Sequence, residues 1–187
     1  VTMRLDEQQL DEYTDRFTSD ALRYETLTYY DVASDGDDFA RFLAGEPGPS
    51  PEVVGGWGRW VQQQRSRGAT VRRVRVLREP PSDYLRFEMG WAYVANVSAG
   101  EDIRILDLTE RPAPAEVVDA EFWMLDRQRI ALMAYSMAGK FLHAHALDGD
   151  DAAPYVDAAE TAWRLAEPFP AWWARHPEYH HPVAASA

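Results

Sequence analysis

The sequence predicts an α+β protein: one domain spanning residues 1–187, with a mixed β-sheet and helices packed on it. Three observations carry that expectation. Within residues 71–77, VRRVRVL, Arg73 and Arg75 alternate with Val74 and Val76, as in a strand. A helical stretch over 82–98 and a second strand over 102–108 follow, making a strand, helix and strand unit. Three short strand-like runs between 121 and 146 then read as an antiparallel meander. The unit is expected as a right-handed parallel crossover.

The elements follow in order. Residues 1–16 form an N-terminal helical segment, with Leu10, Tyr13 and Phe17 spaced along an amphipathic helix over 6–19. Residues 21–32, ALRYETLTYYDV, alternate and are rich in tyrosine and threonine, so a strand is expected. Ser34 to Asp38 forms a turn able to cap a helix that runs to Leu43. Residues 45–58 hold three prolines and five glycines, and read as a loop suited to a flap. A helix over 57–67 stops at Gly68, and Ser82 is an N-cap for the next helix, which stops at Gly100. Residues 111–118 are a proline-rich link. Strands are expected over 121–126, 129–135 and 140–146, then a turn over 148–154, a helix over 155–167 and a tail over 170–187.

Composition excludes several functions. There is no cysteine, which removes disulfides, thiolate zinc sites and cysteine nucleophiles. No run approaches the roughly 18 apolar residues of a membrane span, and the polar N-terminus does not resemble a signal peptide, so a cytoplasmic location is expected. The net charge of −12 opposes binding to nucleic acid, even though residues 59–78 carry seven arginines and no acid. Walker, G-x-G-x-x-G, G-x-S-x-G and H-E-x-x-H motifs are absent, and no cofactor is expected. His143 and His145, with His176, His180 or His181, lack the spacing of a known metal signature, and no metal is expected. Trp57, Trp60, Trp172 and Trp173 fall near predicted loops or ends, where they fill core or line a pocket or interface.

One constellation stands out. Arg23 and Glu25 are two apart on a strand, as are Arg73 and Arg75. Tyr84, Arg86 and Glu88 lie on the predicted helix, with Tyr84 and Glu88 on one face. Glu101 and Arg104 open the next strand, and Trp123 and Asp126 belong to the first strand of the meander. If the two strands are neighbours, their ends and the helix start converge where open sheets bind ligands. Buried arginines need carboxylate partners, and the chain supplies them, so the cluster reads as a salt-bridged spine that fixes strand order. The competing reading is an arginine-lined edge holding a phosphate or carboxylate, with Glu25, Glu88 or Glu101 as orienting groups or bases.

The run RRVRVLREPPSDYLRFE, followed by AGEDIR and EFWMLD, resembles an uncharacterised actinobacterial family of unknown function. Its members read R-V-R-V, S-D-Y-x-R-F-E, A-G-E-D-I-R and D-F-W-L-F-D. ALRYET and FLAGEP upstream, and Ala162-Trp163 and Pro168-Phe169 downstream, extend the resemblance over residues 17–169. Tyr24 stands where the family has leucine, and Glu121 where it has aspartate. The resemblance implies proteins encoded beside helix-turn-helix regulators and in specialised-metabolite loci, with no activity to carry over. In topology the chain loosely resembles half of a phospholipase-D-like domain, but the H-x-K motif is missing because neither His143 nor His145 has a lysine two positions on.

Together these readings give a non-catalytic regulatory or ligand-sensing module. It would bind a small anionic ligand or a partner protein, such as a helix-turn-helix regulator, at the arginine-lined edge. The alternative is a small enzyme or toxin-like effector acting on a phosphorylated or nucleotide substrate, with an arginine clamp and a glutamate base.

Overall fold

A computed structural model describes residues 3–49 and 51–181. Its centre is a mixed eight-stranded sheet: β1 (Met3–Leu5), β2 (Asp20–Glu25), β3 (Thr70–Leu77), β4 (Asp102–Asp107), β5 (Glu121–Leu125), β6 (Arg129–Tyr135), β7 (Phe141–Leu147) and β8 (Glu167–Pro168). The spatial order is β1-β7-β6-β5-β2-β3-β4-β8. β2, β3 and β4 run parallel to one another, and every other neighbouring pair is antiparallel. The expected parallel crossover unit and the meander are both present.

Alternation along the central strands gives the sheet two unlike faces. One carries Leu22, Tyr24, Val74, Val76, Phe122 and Met124. Helix α6 (Gly149–Leu165) covers it with Ala152, Ala159 and Ala162, whose small side chains let the helix approach closely. The opposite face carries Arg23, Glu25, Arg73, Arg75 and Glu121. It is covered by α3 (Pro51–Ser66) and by a second helical run made of α4 (Asp83–Phe87), a π-turn (Glu88–Tyr93) and α5 (Val94–Ala99). Helix α1 (Glu7–Thr14) packs Leu10 beside Ala131, Met133 and Ala144 on this same side. The short α2 (Asp38–Leu43) and α7 (Phe169–Arg175) close an aromatic core with Tyr30, Phe42, Phe87, Trp91, Phe169 and Trp172.

Local chemistry sets the boundaries. Asp6 caps α1 in a reciprocal capping box with Gln9. Ser82 caps α4 by accepting from the Leu85 amide at 3.2 Å and donates to the Thr28 carbonyl at 2.6 Å. Gly100, at φ +107°, ends α5 in the left-handed region.

Four expectations need correction. The strand expected over 21–32 ends at Glu25, because the Glu121 carboxylate accepts from the Thr26 and Leu27 amides and takes them out of the ladder. Most of the expected flap over 45–58 is helix, since α3 starts at Pro51 and runs through three glycines; Ser50 lies outside the described residues. Pro154 does not stop a turn but sits inside α6. The expected tail is ordered through α7 and a 3-10 turn (Pro177–Tyr179), with Trp172 fully buried; residues 182–187 lie outside the described residues.

Candidate functional site

β2 and β3 pair Arg23 with Arg73 and Glu25 with Arg75, so four charged side chains project from one face of the sheet's interior. Glu25 is the hub. Its carboxylate accepts from Arg73 at 2.6 Å, Arg23 at 3.2 Å and the Tyr93 hydroxyl at 2.9 Å, and forms an ion pair with Arg75 at 2.7 Å. Arg73 also donates to Glu101 at 2.8 Å, and Glu101 accepts from the Trp57 indole at 2.6 Å. Arg75, wholly buried, reaches Glu88 at 3.0 Å, the Tyr93 hydroxyl, the Tyr30 hydroxyl and the Leu27 carbonyl. Arg23 extends to Glu121 at 3.3 Å and to the Tyr135 hydroxyl at 3.2 Å, and Tyr30 donates to Glu121 at 2.6 Å.

Three guanidinium groups therefore face four carboxylates. The balance decides how each group titrates. Burial alone would raise Glu25, but Arg73, Arg75 and Arg23 outweigh it and hold the carboxyl well below its ordinary range. Glu88 goes the other way. Burial pushes it up to about 7, Arg75 opposes this only in part, and the Glu25 charge adds to the rise. Tyr93 is pushed far up by burial and stays a neutral donor to Glu25. Glu88 and Tyr93 are the two ends of the π-turn, and both reach Arg75. A wider turn of this kind is a common way to aim side chains that an α-helix would place elsewhere.

The expected site residues thus divide. Arg23, Glu25, Arg73, Arg75, Glu88 and Glu101 come together. Tyr84 does not join them: its hydroxyl donates to Asp35 at 2.8 Å within the aromatic core. Arg86 donates to the carbonyls of Pro81 and His181 and lies over Tyr179, so it ties down the C-terminal segment. Arg104 is on the other face, because the register sets it beside Val74 rather than Arg73. There it stacks over Trp163 at 4.2 Å, beside Arg72 at 4.8 Å over the same ring. Asp126, at φ +52°, accepts from the Thr18, Ser19 and Asp20 amides. Burial would raise it, but those three donors bring it down to about 2. Glu121, Tyr93 and Tyr30 were missed. Glu121 was legible as two residues from Trp123 on one strand, but nothing in the sequence fixes which face that is.

Next to the network lies a groove of about 380 Å³ between α1 and α3. Ala21, Leu125 and Trp123 form its floor, and Leu10, Asp11, Thr14 and Asp15 one wall. Gly56, Trp57 and Trp60 form the other. Trp57 and Trp60 stack with ring centres 4.7 Å apart, and Trp57 lies 6.1 Å from Trp123. The network sets Trp57 and Trp123 from behind. Arg73 lies 5.6 Å over Trp57, Arg23 lies 5.8 Å over Trp123, and Glu101 holds the Trp57 N–H. Asp15 accepts from Trp60 at 3.3 Å.

Elsewhere, Asp107, Glu110 and His176 bring potential ligand atoms within 4.8 Å of one another. Their oxygens are engaged: Asp107 accepts from Thr109 and Trp172, and Glu110 is held by both terminal nitrogens of Arg175. His143 and His145 lie against each other, with Arg4 at 3.3 Å from His143, a cation that opposes metal binding there. Among the described residues no helix is long and apolar enough to cross a membrane.

Residues 8–174 match the model of a family described as Domain of unknown function (DUF6879). No curated protein matches the chain. Among solved structures, the chain is similar to that of TrmBL2, an archaeal chromatin protein described as showing a novel mode of DNA binding. The identity is 10% and the TM-score 0.48, covering 90% of this chain and 53% of that one. The chain therefore spans about half the length of that structure.

Proposed function

The chain belongs to this family of unknown function, and from that premise we propose that it is a non-catalytic binding module whose ligand occupies the Trp57–Trp60–Trp123 groove. The arginine network is the frame that fixes the groove rather than the ligand site. One observation supports this above the others: two of the three indoles that line the groove, Trp57 and Trp123, are positioned by members of the network, through Glu101, Arg73 and Arg23, and Trp60 stacks on Trp57. A concave, mostly apolar pocket with a few placed polar groups is the usual form of a small-molecule site. An anion at the arginines fits less well, because four carboxylates already meet the three buried guanidinium groups. A sensing or regulatory role follows if occupancy shifts Trp57 and, through Glu101 and Arg73, the hub at Glu25. The absence of cysteine supports our placing it in the cytoplasm.

The test is nuclear magnetic resonance of the tryptophan indole N–H groups in the full chain, titrated with benzyl alcohol as a small apolar probe. The expected result is saturable movement of the Trp57, Trp60 and Trp123 signals while that of buried Trp172 stays still. Movement confined to the Trp172 and Trp173 signals, or none at millimolar probe, would refute the reading.

The enzyme alternative has one observation in its favour: Glu88, raised to about 7 and set on a π-turn, has the titration of a general base near neutrality. It also needs a guanidinium group free to clamp phosphate. Hydrolysis of p-nitrophenyl phosphate that disappears in Glu88→Gln would support it; no turnover counts against it.

A further inference from the structure

We infer that the ligand of this groove is a small organic cation, an amine or quaternary ammonium carried on an apolar body; this rests on the groove being the binding site. The lining supplies the two things such a ligand needs. Trp57 already carries Trp60 stacked on it and Arg73 behind it, so the cation would meet the ring faces of Trp60 and Trp123 on the groove side, which attract it through the ring quadrupole, Trp being the best of the aromatic side chains for this. Asp11 and Asp15, exposed on the wall opposite Trp57, supply formal negative charge. Among the described residues, the groove lining contains no lysine, arginine or histidine. The guanidinium groups of Arg23 and Arg73 lie behind the rings, where Glu25, Glu101 and Glu121 match their charge. Asp11 also sits in a surplus of negative charge: burial raises its pKa first, and Glu7 and Asp15 raise it further. A bound cation would relieve that crowding.

A second observation points to a ligand rather than to packing. Helix α3 contains Gly55, Gly56 and Gly58, and glycine within a helix is destabilising relative to alanine. Gly58 has a packing reason, since a Cβ there would stand 3.4 Å from Ala99. Gly56 has none: a Cβ would meet nothing within 4 Å, and it would project from a residue that lines the groove. The missing side chain keeps that wall open.

The experiment compares choline with neohexyl alcohol, its neutral carbon isostere, and with benzoate, by calorimetric titration of the full chain. Choline is expected to bind roughly tenfold tighter than the alcohol, and benzoate not at all. Asp15→Asn should erase most of the preference for choline. Gly56→Leu should abolish binding of both while leaving the urea midpoint unchanged or raised, which separates a filled groove from a misfolded chain. If the alcohol binds as well as choline and Gly56→Leu abolishes both, the cation inference falls and the groove reading stands. If nothing binds and benzyl alcohol also leaves the indole signals unmoved, both fall. Tighter binding of benzoate, insensitive to Gly56→Leu, overturns both in favour of the arginines.

Discussion

Replacing Glu88 by glutamine removes the charge that the network is least able to hold. Glu88 has an ordinary carboxyl pKa near 4.5 in the unfolded chain and about 7 in the folded one. Below pH 4.5 both states carry the proton and the group is neutral towards stability. Between pH 4.5 and 7 the unfolded chain releases the proton while the folded chain keeps it, so stability falls as pH rises. Above 7 the loss is complete. The gap between 4.5 and about 7 corresponds to about 3 kcal/mol at full ionisation. The Glu88 side chain is only 17% exposed, so solvent screening does not remove most of this. Glutamine copies the neutral acid, keeps an oxygen for Arg75 and never ionises. Between pH 5 and 8 the parent should therefore lose about 2 kcal/mol that Glu88→Gln does not. For a domain of this length that is a divergence of roughly 4–8 °C in Tm. Urea unfolding of both proteins at pH 5, 6, 7 and 8 measures it, and the difference between them cancels other titrating groups. A variant less stable than the parent at pH 8, or a difference that does not grow with pH, would show that Glu88 is ionised and needed as a partner of Arg75.

Arg75→Met should cost about 3–5 kcal/mol in urea unfolding, because Glu25 loses a buried cation while its own charge remains. Asp126→Ala should cost about 1–3 kcal/mol at neutral pH by stranding the Thr18, Ser19 and Asp20 amides. Since Asp126 titrates near 2 when folded, its contribution is present above its unfolded value near 4 and fades as pH falls towards 2. The variant and parent should accordingly converge on acidification, as followed by circular dichroism melts. Trp172→Phe should lower the melting temperature by breaking the buried indole bond to Asp107 at 3.1 Å, with a cost of about 1–3 kcal/mol; an unchanged melt would mean that water replaces it.

Alternation was the most legible signal. VRRVRVL placed Arg73 and Arg75 on one face, and both lie there. What alternation leaves open is register between strands, where a slip of one residue turns a side chain to the opposite face. Arg104 shows this: as a neighbour of Val74 it faces α6, not the network. Its own spacing could not reveal that. The π-turn was equally hidden, because 82–98 has an unbroken helical pattern and the insertion only moves where Tyr93 and Glu88 point. The end of β2 is set by Glu121, 95 residues away from Thr26, so no local signal marks it. Asp126 was singled out for a site; in the structure it ties the turn after β5 to the start of β2 through the Thr18, Ser19 and Asp20 amides, a long-range role that its own segment does not reveal. Trp57 and Trp60, near a predicted loop, read first as core filling and only alternatively as lining a pocket or interface; both line the groove.

β2 lies between β3 and β5, two strands made much later in synthesis than it is, and they arrive at different times. When residues 70–77 emerge, Glu25 gains Arg73 and Arg75 at once. Arg23 is then still half provided for, and the other side of β2 is an open strand with free amides and carbonyls. That side closes only when residues 121–125 emerge, bringing the Glu121 carboxylate to Arg23, Thr26 and Leu27 together. Until then the nascent chain presents an unpaired strand next to an incompletely compensated guanidinium, a charge that discourages apolar strands from adding there. If the sheet assembles in the order of synthesis, the charge of Arg23 opposes the addition of a foreign apolar strand at that open side.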